Sequence, residues 1–228
     1  MAPVLEVITC SVADAVAAAS GGAQRLEVVR DLVRGGLTPS FELVQAIKRA
    51  VDLPLRVMLR ESDGYETSGE HEIERLCVAA ERFGALEIDG FVLGFLRDEE
   101  VDVELTGRVL ACAPQVKATF HHAFEDARDK LRALSAIKQL PQVDRVLSHG
   151  GTGELESRVQ RLRQYEEAAR PELTIVAGGG IDADAISTIA RETNIHEFHV
   201  GRSARASFQV DGEVQASLIS DLVARLRH

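Results

Sequence analysis

Residues 116–126 read V-K-A-T-F-H-H-A-F-E-D, an apolar run with one threonine that stops at two adjacent histidines and then meets acids. Imidazole exchanges protons near neutral pH and can ligate metals, so a histidine at the exit of a strand is a candidate acid, base or ligand. Other ionisable groups sit in or just after similar runs. These are Glu6 in L-E-V-I-T, Arg25 and Glu27 in R-L-E-V-V, Arg60 at the end of L-R-V-M-L-R, His149 after R-V-L-S, and His199 in E-F-H-V-G. A second kind of chemistry is written in glycine. The segments V-A-G-G-G-I-D (176–182) and H-V-G-R-S-A-R (199–205) follow two consecutive runs. Glycine lets a backbone come close to anionic oxygens. Gly179, Gly180, Gly201, Arg202 and Ser203 are therefore expected to surround a phosphate or sulfate, the alternative being two tight turns.

The elements that must position these groups alternate along the chain. Strand candidates are residues 5–9, 25–29, 55–60, 90–95, 116–121, 145–149, 173–178 and 197–201. Apolar residues at helical spacing lie between them, as in Val12, Ala15, Val16 and Ala19, or Leu155, Val159 and Leu162. Capping signals open two of the helices, Thr38-Pro39-Ser40 and Asp182. Alternating β and α elements imply a parallel sheet with helical crossovers, and eight such units in 228 residues predict a single-domain (β/α)8 barrel of the TIM type over residues 1–228. An open dinucleotide-binding sheet would need G-x-G-x-x-G in the first turn, which reads I-T-C-S-V-A. In a barrel the active site forms at the C-terminal strand ends, and loops seven and eight often hold phosphate.

Strand alternation puts Lys117, Thr119 and His121 on one face and Ala118, Phe120 and His122 on the other. The Phe120 face suits the outer helices, so the first set is expected inside, with His121 nearest the mouth and His122 a packed or solvated neighbour. The same parity groups Glu6 with Ile8 and Cys10, Arg25 with Glu27, Arg56 with Met58 and Arg60, and Glu197 with His199 and Gly201. Buried charges need partners. One reading is an interior ion-pair network with Glu6 and Glu27 balanced by Arg60 or Lys117. The other is a catalytic set in which His121 or His199 is the acid/base and Glu6 and Glu27 orient it or the substrate. Lys117 suits a Schiff base only near the mouth; low in its strand it suits an ion pair. Residues 34–40 are expected over the mouth, and the polar stretch 61–72 as a lid or exposed loop. His149 adds a third histidine, but without H-x-H or H-E-x-x-H spacing no metal site is assigned.

The net charge of −10 argues against nucleic acid as a partner. The N-terminus has no basic-then-apolar signal pattern and no apolar run reaches membrane-spanning length, so neither secretion nor a membrane is expected. Three scattered cysteines without C-x-x-C fit reduced thiols in the cytoplasm.

L-E-V-I-T-C-S (5–11), GGAQRLEV (21–28), GGLTPS (35–40), TFHHAFED (119–126), RVLSHGG (145–151), AGGGI (177–181) and EFH (197–199) occur in this order. Together they resemble the CutC copper-homeostasis family. The resemblance implies a cytoplasmic TIM-like barrel, a homo-oligomer and a link to copper, with Glu6, Arg25, Glu27, Arg60, Thr119, His121 and His199 matching the family's polar residues. There are departures. The family's R-P-R-G-G-D-F-x-Y is here R-E-S-D-G-Y-E-T-S, with Ser62 in place of the second arginine, and its T-F-H-R-A-F-D has His122 in place of arginine. Copper-binding members carry cysteines where this chain has Ile8 and Val29, leaving Cys10 as the nearest sulfur, so no tight Cu(I) site built from cysteines is expected. The expected function is an enzyme of isomerase, aldolase or lyase type acting on a small phosphorylated or anionic metabolite, with no cofactor assigned. The competing expectations are copper binding or trafficking and a non-catalytic oligomeric scaffold.

Overall fold

The strands begin where apolar, β-branched residues recur and stop where glycine or polar residues let the chain leave the sheet. They are β1 (Val4–Thr9), β2 (Arg25–Val28), β3 (Leu55–Met58), β4 (Gly90–Leu93), β5 (Lys117–Phe120), β6 (Val143–Ser148), β7 (Thr174–Ala177) and β8 (Glu197–Val200). In the computed structural model, which describes residues 2–226, they pair in parallel in the order β1-β8-β7-β6-β5-β4-β3-β2 and close on themselves. This is the expected (β/α)8 barrel. Nearly every strand residue is buried, because helices cover the outside while side chains fill the inside. No helix among the described residues is long and apolar enough to cross a membrane.

The outer layer consists of α1 (Val12–Gly21), α2 (Phe41–Ala50), α3 (Glu70–Gly84), α4 (Val103–Leu110), the single turn α5 (Ala123–Asp126), α6 (Lys130–Ile137), α7 (Leu155–Ala169), α8 (Ala183–Glu192) and α9 (Ala216–Arg225). Ser40 caps α2 by accepting from the Leu43 N–H at 3.1 Å, and Asp182 caps α8 by accepting from Ala185 at 2.8 Å. Both capping signals therefore work as expected. A small hairpin, Leu96–Arg97 with Glu100–Val101, follows β4 and was not foreseen.

The lower interior of the barrel corrects one expectation. Lys117 does not enter it. It starts β5 at an exposed position, its Nζ 3.4 Å from the Pro141 carbonyl. Arg56 takes the space instead, fully buried, donating to Asp89 at 2.9 Å, to Thr119 Oγ1 at 2.9 Å and in a fork to Asp144 at 2.8 and 2.9 Å. The facing residue must be small. A Cβ on Gly90 would lie 2.9 Å from the Arg56 Cζ.

Candidate active site

Adjacent parallel strands bring Glu6 level with His199 and with Arg25, and Ile8 level with Glu27. Three of these side chains meet. His199 Nδ1 lies 2.7 Å from Glu6 Oε1, and its Nε2 lies 3.3 Å from Glu27 Oε2. All three are buried. Glu6 also accepts from Arg25 Nε, and Arg25 reaches Glu197 at 2.7 Å. Arg145 forks onto Glu197 at 2.6 and 3.1 Å and pairs with Asp144, so the chain of charges continues down to Arg56. The expected balance of Glu6 and Glu27 by Arg60 or Lys117 is thus replaced by Arg25 and His199. Parity had the right faces but could not tell which neighbour reaches which.

Burial sets the proton affinities in this cluster. Desolvation pushes the Glu27 carboxyl up to about 7, and the charge of Glu6 adds to it against the pull of His199 and Arg25. Burial works against charge on His199, yet the Glu27 and Glu6 carboxylates hold it above the ordinary imidazole value. Burial also raises Glu6, but Arg25 and His199 outweigh it and keep that carboxyl ionised well below the usual range. Glu6 is a fixed charge that orients His199. Glu27 and His199 lie 3.3 Å apart, so the charge of each bears on the proton affinity of the other.

Glu27 and His199 lie in the wall of a 380 Å³ cavity at the barrel mouth. Arg60, His121 and all five residues of the expected anion site, Gly179, Gly180, Gly201, Arg202 and Ser203, line it too. The backbone N–H groups of Gly179, Gly180, Arg202 and Ser203 donate to no carbonyl among the described residues. Gly179 and Gly180 both have φ near +74°, a conformation that glycine adopts without strain. The chain leaving β8 forms only a three-residue 3-10 turn, Arg202–Ala204, so no helix dipole of consequence faces the cavity. Thr119 and Glu6 do not line the cavity. Thr119 serves Arg56, and Glu6 acts through His199.

His121 stands at the mouth as expected, and His122 departs from expectation. His121 lines the cavity, but burial, and then the charge of Arg60, pulls it down to about 3. Its Nδ1 accepts from the Ala123 N–H at 3.2 Å, which puts the proton on Nε2. Burial thus favours the neutral, hydrogen-bonding form of His121. His122, expected as a bystander, also lines the cavity, its ring 5.9 Å from that of His149 and 6.5 Å from that of His199. Burial pulls it down to about 3 as well. Alternation failed here because β5 ends at Phe120 and His122 already has helical φ and ψ as the residue before α5. Glu125, in the same acidic tail, accepts from Ser148 Oγ at 2.6 Å and the His149 N–H at 2.7 Å and so fastens the loop after β6. Tyr65, from the expected lid, packs 5.1 Å from the His121 ring. Glu125 and Tyr65 lie in segments that the sequence singled out, but neither was a candidate site residue by itself.

Residues 4–204 match the CutC family. The chain belongs to the CutC family. A CutC family protein of Xylella fastidiosa is 34% identical over 203 residues, covering 89% of this chain and 75% of its own. The human copper homeostasis protein cutC homolog is 33% identical over 208 residues, covering 89% and 75%. In the crystal structure of a putative copper homeostasis protein CutC from Streptococcus agalactiae the fold recurs at a TM-score of 0.81 and 23% identity, over 86% of this chain and 97% of that one.

Family membership raises copper, and the donors at the mouth decide whether it fits. Soft Cu(I) prefers thiolate and thioether sulfur. Met58 supplies the only sulfur in the cavity wall among the described residues. Cys10 packs with Ile8 and Val29 beside Met58, its thiol raised by burial and its Sγ 3.8 Å from Arg205 Nη2. This set does not fit a tight Cu(I) site. Glu6, Glu27 and His199 offer three oxygen and nitrogen atoms within 4.8 Å. Both nitrogens of His199, however, face carboxylates and Glu6 accepts from Arg25, so the trio is already joined by its own hydrogen bonds.

Proposed function

We propose that this barrel is an enzyme acting on a small phosphorylated metabolite by proton transfer, in the manner of an isomerase, aldolase or lyase. The observation that carries the reading is Glu27. Its carboxyl, with a proton affinity near neutrality, stands in the wall of the same cavity as the loops after β7 and β8, four of whose N–H groups donate to no carbonyl among the described residues. A base is most useful when its pKa lies near the working pH.

In this reading the phosphoryl group sits against Gly179, Gly180, Arg202 and Ser203. Glu27 takes a proton from the substrate carbon or hydroxyl, and the bonding pair left behind moves toward a carbonyl oxygen. His199 steadies the ionised Glu27 through its Nε2–H, Glu27 itself returns the proton to the neighbouring substrate atom as the carbonyl re-forms, and Glu6 keeps His199 oriented. The neutral Nε2–H of His121 donates to the oxygen that gains charge, a role for which a depressed pKa is suited.

The test exposes the protein to a pool of small phosphorylated metabolites and follows depletion by mass spectrometry. The wild type should consume at least one component, and Glu27→Gln and His199→Asn should each slow this about 100-fold or more. If neither variant changes the depletion, or the wild type consumes nothing and fails to bind inorganic phosphate, the reading is wrong.

A further inference from the structure

Arg60 carries a buried charge with no counter-ion in contact among the described residues, the Asp63 carboxylate feeling it only from a distance while pairing with Arg34. Its Nη1 donates to the Gly35 and Gly36 carbonyls at 3.2 and 3.1 Å, and its Nη2 to those of Arg34 and Asp63 at 3.1 and 2.8 Å. These bonds pin the loop after β2 to the loop after β3. Carbonyl dipoles are not counter-ions, and no carboxylate lies within 4 Å of this guanidinium among the described residues. The residue is 8% exposed, and its Nε is buried without a hydrogen-bond partner. A buried cation without an anion is costly. Every other buried arginine in the barrel, Arg25, Arg56 and Arg205, has a carboxylate.

Arg60 also stands in a telling place. It lines the same cavity as Glu27 and the glycine loops, with Tyr65 lying over its guanidinium at 5.5 Å. In the closed ring β3 and β7 are four strands apart in either direction, so they face each other across the barrel. Arg60 thus stands opposite Gly179 and Gly180, with Glu27 and His199 arriving from β2 and β8 on the arc between them. A ligand gripped by the glycine loops and lying over Glu27 has its far end directed at Arg60.

We propose that the substrate carries a second anionic group, a carboxylate, received by Arg60 at the end of the cavity opposite the phosphoryl group. The substrate class is then a phosphate monoester of a short hydroxy or keto acid. Tyr65 covers the guanidinium until the carboxylate takes its place beside Nε. This rests on the reading of the β7 and β8 loops as the phosphoryl site, and the experiment separates the two.

Calorimetric titrations of the full chain would use inorganic phosphate, ethyl phosphate and a series that adds a carboxylate at growing distance: 2-phosphoglycolate, 3-phosphooxypropionate and 4-phosphooxybutyrate. One member of the series should bind about ten-fold or more tighter than ethyl phosphate, as a charge-assisted hydrogen bond implies. Arg60→Lys, which keeps the charge but loses the fork, should lose most of that gain while binding inorganic phosphate as the wild type does. Arg60→Met should lose all of it, with circular dichroism checking its fold. If ethyl phosphate binds but no carboxylate at any spacing improves on it, the second-anion proposal fails and the phosphoryl site stands. If the gain survives in Arg60→Lys and in folded Arg60→Met, the carboxylate is received elsewhere and the proposal fails. If inorganic phosphate and every ester fail to bind, the phosphoryl site falls and takes this proposal with it.

Discussion

Glu27 is a buried acid whose neighbours do not fully compensate it. Its carboxyl titrates near 7 in the folded chain against an ordinary 4.5, with desolvation the main cause. A carboxyl whose pKa is raised by folding binds its proton more tightly in the native state, so between these two values rising pH favours unfolding. The histidines pull in different directions. His121 and His122, held neutral, lose stability as pH falls below the ordinary imidazole value. His199, held cationic, loses it as pH rises through its elevated one. A comparison of two proteins cancels the His121 and His122 terms but not that of His199, which Glu27 helps to hold cationic. Glu27→Gln removes the Glu27 titration and lowers His199 with it, and both changes act in one direction, so its stability relative to the wild type should grow by roughly 2 kcal/mol or more from pH 5 to pH 8. Urea denaturation at the two pH values measures this. A constant difference would mean that Glu27 titrates like a solvated carboxyl and is not tuned for proton transfer.

The elements were largely legible because their signals are local. A run of apolar residues between two helical patterns can hardly be other than a buried parallel strand, and all eight such runs became strands of one closed barrel. Their ends were less legible. The run 55–60 pairs in the sheet only to Met58, and the sixth strand begins at Val143, ahead of the charged Asp144 and Arg145. Those charges are tolerated in a strand because Arg56 and Glu197 wait for them across the barrel, which is a tertiary fact. Helix starts could be read from single residues, and one of them matters for the site. Asp182 caps α8 immediately after the loop that holds Gly179 and Gly180, so the cap decides where the loop must end. Asp182→Ala should cost about 1 kcal/mol in denaturant unfolding. It should also weaken inorganic phosphate several-fold, while Asp182→Asn, which can still accept from Ala185, preserves both. Loss of stability with unchanged phosphate binding would show that the loop keeps its shape without the cap.

At the scale of the whole molecule the two ends of the barrel are joined by one line of charges yet do separate work. It runs from Asp89 and Arg56 through Asp144, Arg145, Glu197, Arg25 and Glu6 to His199 and Glu27. Alternation grouped Glu6, Arg25, Glu27, Arg56, Glu197 and His199 as inward, but it did not mark Asp89, Asp144 or Arg145, nor tell which groups were plug and which were site. That division depends on height along the barrel axis and on burial, and neither is set by spacing. At the lower end the groups are satisfied by one another and have nothing left to offer a ligand; at the mouth Glu27 and Arg60 are not. Truncating the lower end should therefore damage the fold and spare the site. Arg56→Leu removes a fully buried guanidinium, strands Asp89 and Thr119, and leaves Asp144 with Arg145 alone. Breaking a buried ion pair in this way costs about 3–5 kcal/mol, and the low end applies because both carboxylates can rehydrate, with Asp89 38% and Asp144 29% exposed. For a chain of this size that corresponds to a fall in Tm of about 6–12 °C. Phosphate affinity at a temperature where the variant is folded should stay within about two-fold of the wild type, since its contacts lie at the opposite rim and sites without shared partners behave additively. Thermal scans and calorimetry on the same preparation decide it. A variant that keeps its Tm would show that the lower network adds no net stability, and one that loses phosphate binding while folded would show that the charge line couples the two ends.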